Sequence, residues 1–578
     1  MILIFGGTTE GRTAIDVCEQ AGKPFYYSTK SDTQQVEMKN GIRLTGPMTE
    51  DDIIRFCMKN VVKCIIDAAH PFAENLHKAI LGCQIPIIRF ERTKEERIEG
   101  AIYCKGYEDA VKALKHNDIK LLLALSGANT IAKLKNYWQD HRTIFRILRR
   151  KESVEIAERN GFPSDDLIFY DDTHLLPTTA QEADLMKAVG CDAVITKESG
   201  KSGGFPAKAA AAKQLGLKLF VIEPPRYMSD NKTVQHVTGR YGLRRAIEQL
   251  LPDFFPLKTG FSTGACATAA TKAALISLLS DDWPEEIDFQ LPDGEIMTIC
   301  VDVEKAGVAS VVKDFSDDPD VTRGCRIRAE VGFNDTGDIR FLQGDGVGTV
   351  TLPGLGIPVG GPAINATPRQ MMTSEIKSLT TRGCDVRISV ENGMEIALNT
   401  FNSKVGVVDG ISIIGTSGIV TPLSNEAFIE SIGRELEVAK AIGCDTIGLA
   451  SGKKGEEALK EVDSEMRVIH YGNFIGESLK KAFHLGFKSV HIGIMIGKAV
   501  KLAEGHLDTH SHKVQMNKEF LKRLAGEDAW KIDNITMARE LWQIMPPDFF
   551  EKIRRLCYDN CRKAFPQGEL FIHIIPAT

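Results

Sequence analysis

The sequence predicts an α/β unit made of two lobes, followed by a second unit of mixed α+β and α/β character. Three observations lead there. Through the first 250 residues short apolar runs alternate with glycine turns and amphipathic helices, the rhythm of parallel sheets built from βα units. "LPDFFPL", residues 251–257, then breaks the rhythm with two prolines around an aromatic pair. After it "KTGFSTGACATAATKAALISLL" begins again as a chain begins, with a Gly/Thr/Ser loop running into an Ala-rich helix. The expected division is 1–250, with lobes at about 1–98 and 99–250, a stiff linker at 251–256, and 257–578. The last region is expected to be α+β to about 405 and α/β from 406 onward.

A chain of 578 residues is too long for one hydrophobic core; at roughly 100–200 residues per domain it should hold about three or four. The content of 43% hydrophobic and 26% charged residues is that of an ordinary globular protein. A formal charge of −6 is small for this length and argues against a nucleic-acid or membrane-surface partner. Anionic ligands must therefore be held by local clusters of cations and N–H groups. The 13 cysteines form no CxxC pair and many lie in apolar runs such as "VVKCIIDAAH", the pattern of reduced, buried thiols in a cytoplasmic protein. Cys557 and Cys561 share a helix face, which reads as packing. Met1 to Phe5 reads as a strand rather than a signal peptide, and no run approaches the roughly 20 apolar residues of a membrane span. Self-association into a homo-oligomer is left open.

"MILIFGGTTEGRTAIDVCEQAG" is strand, turn and helix, with apolar Ala14, Ile15, Val17, Cys18 and Ala21 before a stop at Gly22. Gly6, Gly7 and Gly11 allow a tight turn and a close approach of a pyrophosphate to the helix N-terminus, although GGTTEG departs from GxGxxG. The next strand ends in Thr29 and Lys30 with no carboxylate for a ribose 2′-hydroxyl, so NADH and NADPH both stay open. "CIIDAAHPFAENLHKAILGCQIPIIRFER" carries a polar tip at Asp67 and His70 and a strand ending in Arg89 and Arg92. Two further tips follow strands: Ser126, Gly127 and Asn129, then Lys197, Ser199 and Gly200. Arg146, Arg149, Arg150 and Lys151 lie near another strand end. Polar residues beyond the carboxyl ends of parallel strands mark a ligand cleft.

GGTTEGR, DAAHPFAENL, IPIIRFER and ITKESG, in that order, resemble the signatures of precorrin-6A reductases over about 1–250. The resemblance implies two Rossmann-like lobes around a cleft and a nicotinamide-dependent reduction of a corrin-ring precursor. It places Gly6, Gly7, Thr8, Glu10 and Gly11 near the cofactor, and Asp67, Ser126, Gly127, Arg149, Ser199 and Gly200 around the substrate. Hydride addition leaves charge that a proton must quench, so His70 and Lys197 are the candidate acids.

In the second unit "KTGFSTGACATAATKAA", "SVVKDFSDDPDVTRG", "GDGVGTVTLPGLGIPVGGPAINATPR", "GISIIGTSGIVTPLSNEAF", "GNFIGESLKKA" and "GIMIGKAVKLAEGHLDTHSHK" resemble, in order, the blocks of cobalt-precorrin-5B (C1)-methyltransferases. This region is identified as similar to that family over about 257–522. The blocks are Gly/Pro/Ser/Thr/Asn turns between apolar runs, the composition of ligand-touching loops on a rigid scaffold. The resemblance implies S-adenosylmethionine at Gly415, Thr416, Gly418, Gly472 and Asn473. It implies a corrinoid precursor with many carboxylate arms at Thr263, Gly264, Lys313, Asp314, Asp345, Asn365, Arg369, Lys498, Thr509, His510 and Ser511. "GDGVGT" is not followed by a helix, so the common Rossmann methyltransferase fold is not expected. "HLDTHSH" offers His506, Asp508, His510 and His512, with His491 upstream. The spacing matches no zinc pattern, and no protein-bound metal is expected.

The two resemblances together describe consecutive steps of cobalamin synthesis joined in one cytoplasmic chain, with cobalt-containing corrinoid precursors as partners. Two rivals differ in class. In one, "STGACATAATKAA" is the phosphate loop of a kinase-like domain fused to a dinucleotide-dependent reductase. In the other, the chain is a corrinoid-binding sensor without turnover.

Overall fold

A computed structural model of the chain describes residues 1–32, 34–92, 97–170, 177–200, 203–225, 234–280, 283–318, 320–422, 424–510 and 516–576. The chain divides into two compact units, Met1–Pro256 and Leu257–Thr578.

The first unit contains two six-stranded sheets, both wholly parallel. One runs in the order Val234–Thr238, Ile87–Glu91, Cys64–Asp67, Ile2–Phe5, Phe25–Thr29, Gly41–Thr45. The other runs Ile102–Cys104, Lys218–Ile222, Ala193–Lys197, Leu122–Ala124, Thr143–Leu148, Leu167–Tyr170. The central strands are apolar and buried, as sheets covered on both faces require, while the edge strands Gly41–Thr45, Leu167–Tyr170 and Val234–Thr238 are partly exposed. Each order reverses once, between Ile2–Phe5 and Cys64–Asp67 in the first sheet and between Leu122–Ala124 and Ala193–Lys197 in the second. Such reversals open a crevice at the carboxyl ends of the strands.

Two expected boundaries move. The second lobe does not run to residue 250, because Val234–Thr238 adds to the edge of the first sheet beside Ile87–Glu91. The helix that follows, Gly239–Leu250, puts Leu243, Ala246 and Ile247 into the core with Ile2, Ile4 and Phe25. Nor is 251–256 a bare linker. Phe254 and Phe255 are buried in that same core, and the Arg244 guanidinium sits 4.2 Å from the Phe255 ring centroid.

The second unit is organised around the helix Thr263–Leu279, buried along nearly all its length. Its Ala, Gly and Thr side chains let it lie close against a five-stranded sheet ordered Asp302–Lys305, Val308–Val312, Arg326–Asn334, Gly383–Val390, Ile339–Leu342. The helix Ala366–Leu379 packs beside it. A four-stranded parallel sheet follows, ordered Val468–His470, Thr446–Ala450, Ser489–Met495, Glu569–Ile575. The expected division at 405/406 is too early. Val407–Val408 and Ile419–Val420 pair back onto Thr349–Val350 and Gly260–Phe261. "GISIIGTSGIV" is therefore an irregular segment bridged to Val347 and Ile364, not a strand of the parallel sheet. The α/β layer begins with the helix Asn425–Ala441, whose Ile432, Leu436 and Ala439 join its core. The last residues complete that layer: the helix Pro547–Arg562 buries Cys557 and Cys561, and burial pushes the Cys561 thiol up to about 12. Among the described residues no helix is long and apolar enough to cross a membrane.

Candidate functional site

Polar groups of the first unit gather at the two strand-order reversals. Gly6 is required by packing, since a Cβ there would lie 2.3 Å from the Tyr27 ring. A Cβ on Gly11 would meet the Gly6 Cα and the Tyr27 hydroxyl, each at 2.9 Å. Gly7 differs. It has φ +95 and nothing within 4 Å of a would-be Cβ, so its Cα faces open space while its N–H donates to Tyr27 Oη at 2.9 Å. Thr8 caps the helix Thr9–Glu19: Oγ1 accepts from the Gly11 N–H at 3.0 Å and donates to the Ala68 carbonyl at 2.7 Å. The glycine turn is thus clamped to the far side of the reversal. Glu10 pairs with Arg92 at 2.8 Å, and Arg92 also donates to the Ser199 carbonyl. These contacts connect a residue of the first turn with the tip of the second sheet.

Asp67 does not present a free carboxylate to a substrate. It is buried, 2.6 Å from Arg89 and 2.8 Å from His77 Nδ1. Burial alone would raise its pKa, but the hydrogen bond to His77 and the Arg89 charge outweigh it and hold the carboxyl below its ordinary value. His77, which sequence reading passed over, places its Nε2 3.0 Å from the His70 carbonyl and so fixes the loop that carries His70. The His70 Nδ1 accepts the Phe72 N–H at 3.2 Å. Crowding by protein atoms, then the charges of Arg92 and Lys197, push His70 down to about 4. It is a neutral imidazole near pH 7, which weakens it as an acid. Lys197 lies 5.3 Å from the Phe72 ring centroid, and burial followed by the Lys133 charge pushes it down to about 8, with Glu74 opposing.

The remaining tips are mixed. Ser126 is buried and shares a 2.7 Å hydrogen bond with Thr130 Oγ1, so it shapes the Gly127 turn, where φ is +86. Ser199 is buried; a Cβ on Gly203 would lie 2.1 Å from its hydroxyl. Gly200 (φ +65) stands against Arg92. Arg149 is exposed at the end of its strand, 5.4 Å from the Phe169 ring centroid.

In the second unit several expected ligand groups serve the fold instead. Thr263 Oγ1 accepts the Ile414 N–H at 2.9 Å, and the Gly264 N–H donates to the Ile414 carbonyl at 2.8 Å. The Ala265 N–H donates to Ser262 Oγ. This buried helix start is therefore neither a substrate donor array nor the open phosphate loop of a kinase; it holds the 414–418 loop. Lys313 is 1% exposed and pairs with Asp320 at 2.6 Å, and Asp314 Oδ1 accepts the Phe261 N–H at 2.7 Å. Asp345 is exposed. Arg369 donates to the carbonyls of Ile364 (2.7 Å) and Pro362 (3.2 Å) with its charge centre 5.3 Å from the Phe341 ring centroid.

The other expected residues fall into two clusters joined by the helix Asn425–Ala441. At one, Thr416 Oγ1 donates to Glu430 at 3.3 Å; Glu430 pairs with Arg434. Asn365, in the amide orientation that satisfies both sides, accepts from Arg434 at 2.9 and 3.2 Å. Gly415 (φ +137) abuts Ser262, and Gly418 (φ +80) abuts Leu291. At the other, the carboxyl ends of the parallel strands gather Gly472 (φ +57), Asn473 and Lys498. Lys498 Nζ donates to the Gly472 carbonyl at 2.6 Å and to Ser451 at 3.4 Å; burial, then Lys501, lower its pKa. The Thr509 N–H donates to the Asn473 carbonyl at 3.0 Å, and the His510 N–H to Asp508 Oδ1 at 3.2 Å. Ser511 and His512 lie outside the described residues. Phe428, 40% exposed, lies against Gly472 and 5.9 Å from Phe474. The motif block read from the sequence ended at Phe428, in "NEAF", but no residue between Gly418 and Gly472 was singled out, so Phe428, Glu430 and Arg434 were missed. A nearby surface groove of about 450 Å³ runs between helices Asn425–Ala441 and Ile475–His484. Its wall charges pair among themselves, Glu437 with Lys481 and Glu477 with Lys480, so the strand ends make the better site. His491 and His573 touch at 3.2 Å, and among the described residues no group of three or more His, Cys, Asp or Glu is placed to hold a metal.

Comparison with known proteins follows this division. Residues 1–241 match the family described as precorrin-6x reductase CbiJ/CobK, and residues 252–422 match the family CbiD. A cobalt-precorrin-5B C(1)-methyltransferase of Prosthecochloris aestuarii is 40% identical over 340 residues, covering 54% of this chain and 92% of its own. The enzyme of the same name from Priestia megaterium is 37% identical over 334 residues, 54% of this chain and 91% of that one. Among solved structures, "CobK precorrin-6A reductase" aligns with 43% of this chain and 97% of its own at 20% identity and a TM-score of 0.35.

Proposed function

Since the chain belongs to the cobalt-precorrin-5B C(1)-methyltransferase family and carries a precorrin-6x reductase region ahead of that part, we propose a division of labour between its two units. The protein is a bifunctional enzyme of cobalamin biosynthesis, a methyltransferase and an oxidoreductase. The observation that carries this reading is that the two family matches, 1–241 and 252–422, do not overlap, and the change from one to the other, between 241 and 252, comes just ahead of the Pro256/Leu257 division. The second unit methylates cobalt-precorrin-5B at C1, and the first reduces the product, cobalt-precorrin-6A.

When bound, S-adenosylmethionine supplies the methyl group and a reduced nicotinamide nucleotide the hydride. Two Rossmann-like lobes around one cleft account for the paired parallel sheets of the first unit. The open space over Gly7, at a strand-order reversal, fits a dinucleotide. Beside it Arg43, at the middle of the strand Gly41–Thr45, donates to the Gln34 carbonyl and to Thr29 at the end of the neighbouring strand, with no carboxylate partner among the described residues. That cation, with Lys30, favours NADPH. Lys197 is the acid: protonated near neutrality yet more acidic than a free lysine, it delivers a proton to the carbon adjacent to the one reduced. Arg92 holds the cleft's two walls in register.

In the second unit Lys498 suits the cofactor's carboxylate and the Phe428–Phe474 faces suit a sulfonium cation. Thr416, Glu430 and the Gly415–Gly418 turn complete that site, since Glu430 lies two residues beyond Phe428 on the same helix. Arg369, Asn365 and Asp345 remain for the corrinoid's acid arms and ring periphery. Transfer to carbon needs alignment and exclusion of water rather than a protein nucleophile.

The test is anaerobic. The full chain receives cobalt-precorrin-5B and S-adenosylmethionine, with or without NADH or NADPH, and the products are weighed. One added methyl without reductant, and one methyl plus two hydrogens with it, is the expected result. Methylation alone refutes the reductase assignment, and ligand binding without any mass change points to a sensor.

A further inference from the structure

One buried cation of the first unit has no part in the chemistry above. Lys208, on the helix Phe205–Gln214, is 9% exposed. Its Nζ donates to the Gly203 carbonyl at 2.8 Å, and among the described residues no carboxylate pairs with it. The one acid felt strongly in its surroundings, Glu182, is already engaged: its two oxygens accept from Arg146 at 2.8 and 2.9 Å. Burial pushes the Lys208 ammonium down to about 8; the Arg146 and Lys197 charges push the same way and Glu182 opposes. On this face of the sheet two cations, Lys208 and Arg146, thus share one carboxylate, and the Lys197 charge adds to their repulsion. An ammonium withdrawn from water without a counter-charge is costly, and such a group is typically kept for a ligand.

Thr196 gives an independent indication. It is fully buried and among the described residues its hydroxyl has no hydrogen-bond partner, which is rare for a native polar group. On its strand Val194 packs against the helices Thr179–Val189 and Phe205–Gln214. Side chains alternate along a strand, so Thr196 faces the same two helices, the side on which Lys208, Arg146 and Glu182 lie. The place is the carboxyl end of Ala193–Lys197, next to the strand-order reversal.

We propose that Lys208 and Thr196, backed by Arg146, form an anion receptor of the reductase unit that takes an anionic oxygen group of a bound reactant. The chemistry is shared by a peripheral carboxylate of the tetrapyrrole and a phosphate of the nicotinamide nucleotide. The ammonium provides the charge, and the Thr196 hydroxyl donates the hydrogen bond it lacks in the free protein.

This inference rests on the reductase reading, and the experiment separates the two. In the full chain, Lys208→Met, Lys208→Arg and Thr196→Val are compared with wild type. Inorganic phosphate is titrated against the thermal unfolding of the first unit at constant ionic strength, and KM is measured for each reactant of the reduction. Lys208→Met is expected to weaken phosphate binding and to raise one KM by about tenfold or more, the loss expected for a charge-assisted hydrogen bond. Lys208→Arg should retain most of both, and Thr196→Val should raise the same KM by a smaller factor. A rise for the nucleotide identifies a phosphate, and a rise for the tetrapyrrole identifies a carboxylate. Unchanged phosphate binding and unchanged KM values in Lys208→Met overturn the proposal. If that variant does not fold, Thr196→Val with unchanged KM values does so. Should wild type reduce nothing, the reductase reading fails, and the phosphate titration alone decides whether Lys208 binds anions.

Discussion

The deeply buried lysine of the second unit, Lys313, and that of the first, Lys208, are held in opposite ways. Lys313 of the second unit is more deeply enclosed than any other lysine in the described core, yet it lies 2.6 Å from Asp320. Lys208 of the first unit is withdrawn from water with a backbone carbonyl for company, and Lys197, half-buried, lies against the Phe72 ring. Burial alone therefore does not single out a candidate functional cation; burial without a counter-charge is the better guide. A buried pair serves the fold, whereas an unpaired ammonium is held ready for something that arrives later.

The comparison is broken most directly at Asp320. Asp320→Ala leaves Lys313 enclosed and uncompensated, and should cost about 3–5 kcal/mol, read as a lower denaturant midpoint for the second unit. Lys313→Met combined with Asp320→Leu should recover most of that loss, because apolar replacements of a buried pair are often neutral. Asp320 is expected to contribute acid sensitivity as well. Burial would raise its pKa, but the Lys313 charge and hydrogen bonds more than offset this and lower it. A depressed folded value means stability present above the ordinary carboxylate range and lost as pH falls through the folded value. Asp320→Ala should flatten the acid limb of the stability curve.

Lys197→Met tests the other side. Removing a general acid should lower the reduction rate by about 10²–10⁴-fold, so the methylated, unreduced product accumulates. In wild type the reduction rate should fall as pH rises through about 8, where Lys197 loses its proton. A variant that reduces within a few-fold of wild type would demote Lys197 to a packed cation like Lys313.

Much of the architecture was legible because parallel strands announce themselves as apolar runs ending in glycine and polar tips. What escaped depended on long-range pairing. Nothing in "VQHVTGRYGLRRAIEQL" says that its strand rejoins Ile87–Glu91 rather than the sheet it follows, and the aromatic pair 254–255 reads as a linker until Arg244 covers it. The sites divide similarly. Positions just past strand ends such as Gly7, Gly472 and Lys498 could be placed from the pattern, but that Asp67, Thr263 and Lys313 are engaged within the fold could not be read. Their partners, His77 and Arg89, Ile414, and Asp320, lie 10 and 22, 151, and 7 residues away, and single-residue reading does not supply a partner.

Gly264→Ala sharpens the view that the start of the helix Thr263–Leu279 positions a loop. An added Cβ would lie 2.6 Å from Pro368 and 2.9 Å from the Ile414 carbonyl. Overpacking of this kind should cost about 1–3 kcal/mol. It should also raise the KM for S-adenosylmethionine, because the Ile414 contact sets the approach to Gly415 and Thr416. A loss of stability without any change in KM would separate the loop from the cofactor.

The smallest effect is expected at His70, and it is the most discriminating. His70 and Lys197 both lie near the Phe72 ring, and by residue type His70 is the more familiar acid. Its surroundings argue otherwise. The Phe72 N–H occupies Nδ1, and crowding together with the Arg92 and Lys197 charges pushes the ring down to about 4. An imidazole with that value carries no extra proton between pH 6 and 8, so it can orient a reactant through Nε2–H but cannot act as an imidazolium there. His70→Gln keeps a hydrogen-bond donor and should lower the reduction rate by less than about tenfold, well below the loss for a general acid. The fall in rate through about pH 8 should persist unchanged in the variant, because that step belongs to Lys197. If His70→Gln instead abolished the pH step, or cost as much as Lys197→Met, the proton would come from the histidine. The unpaired lysine would then have to be reassigned, with Lys208, to anion binding.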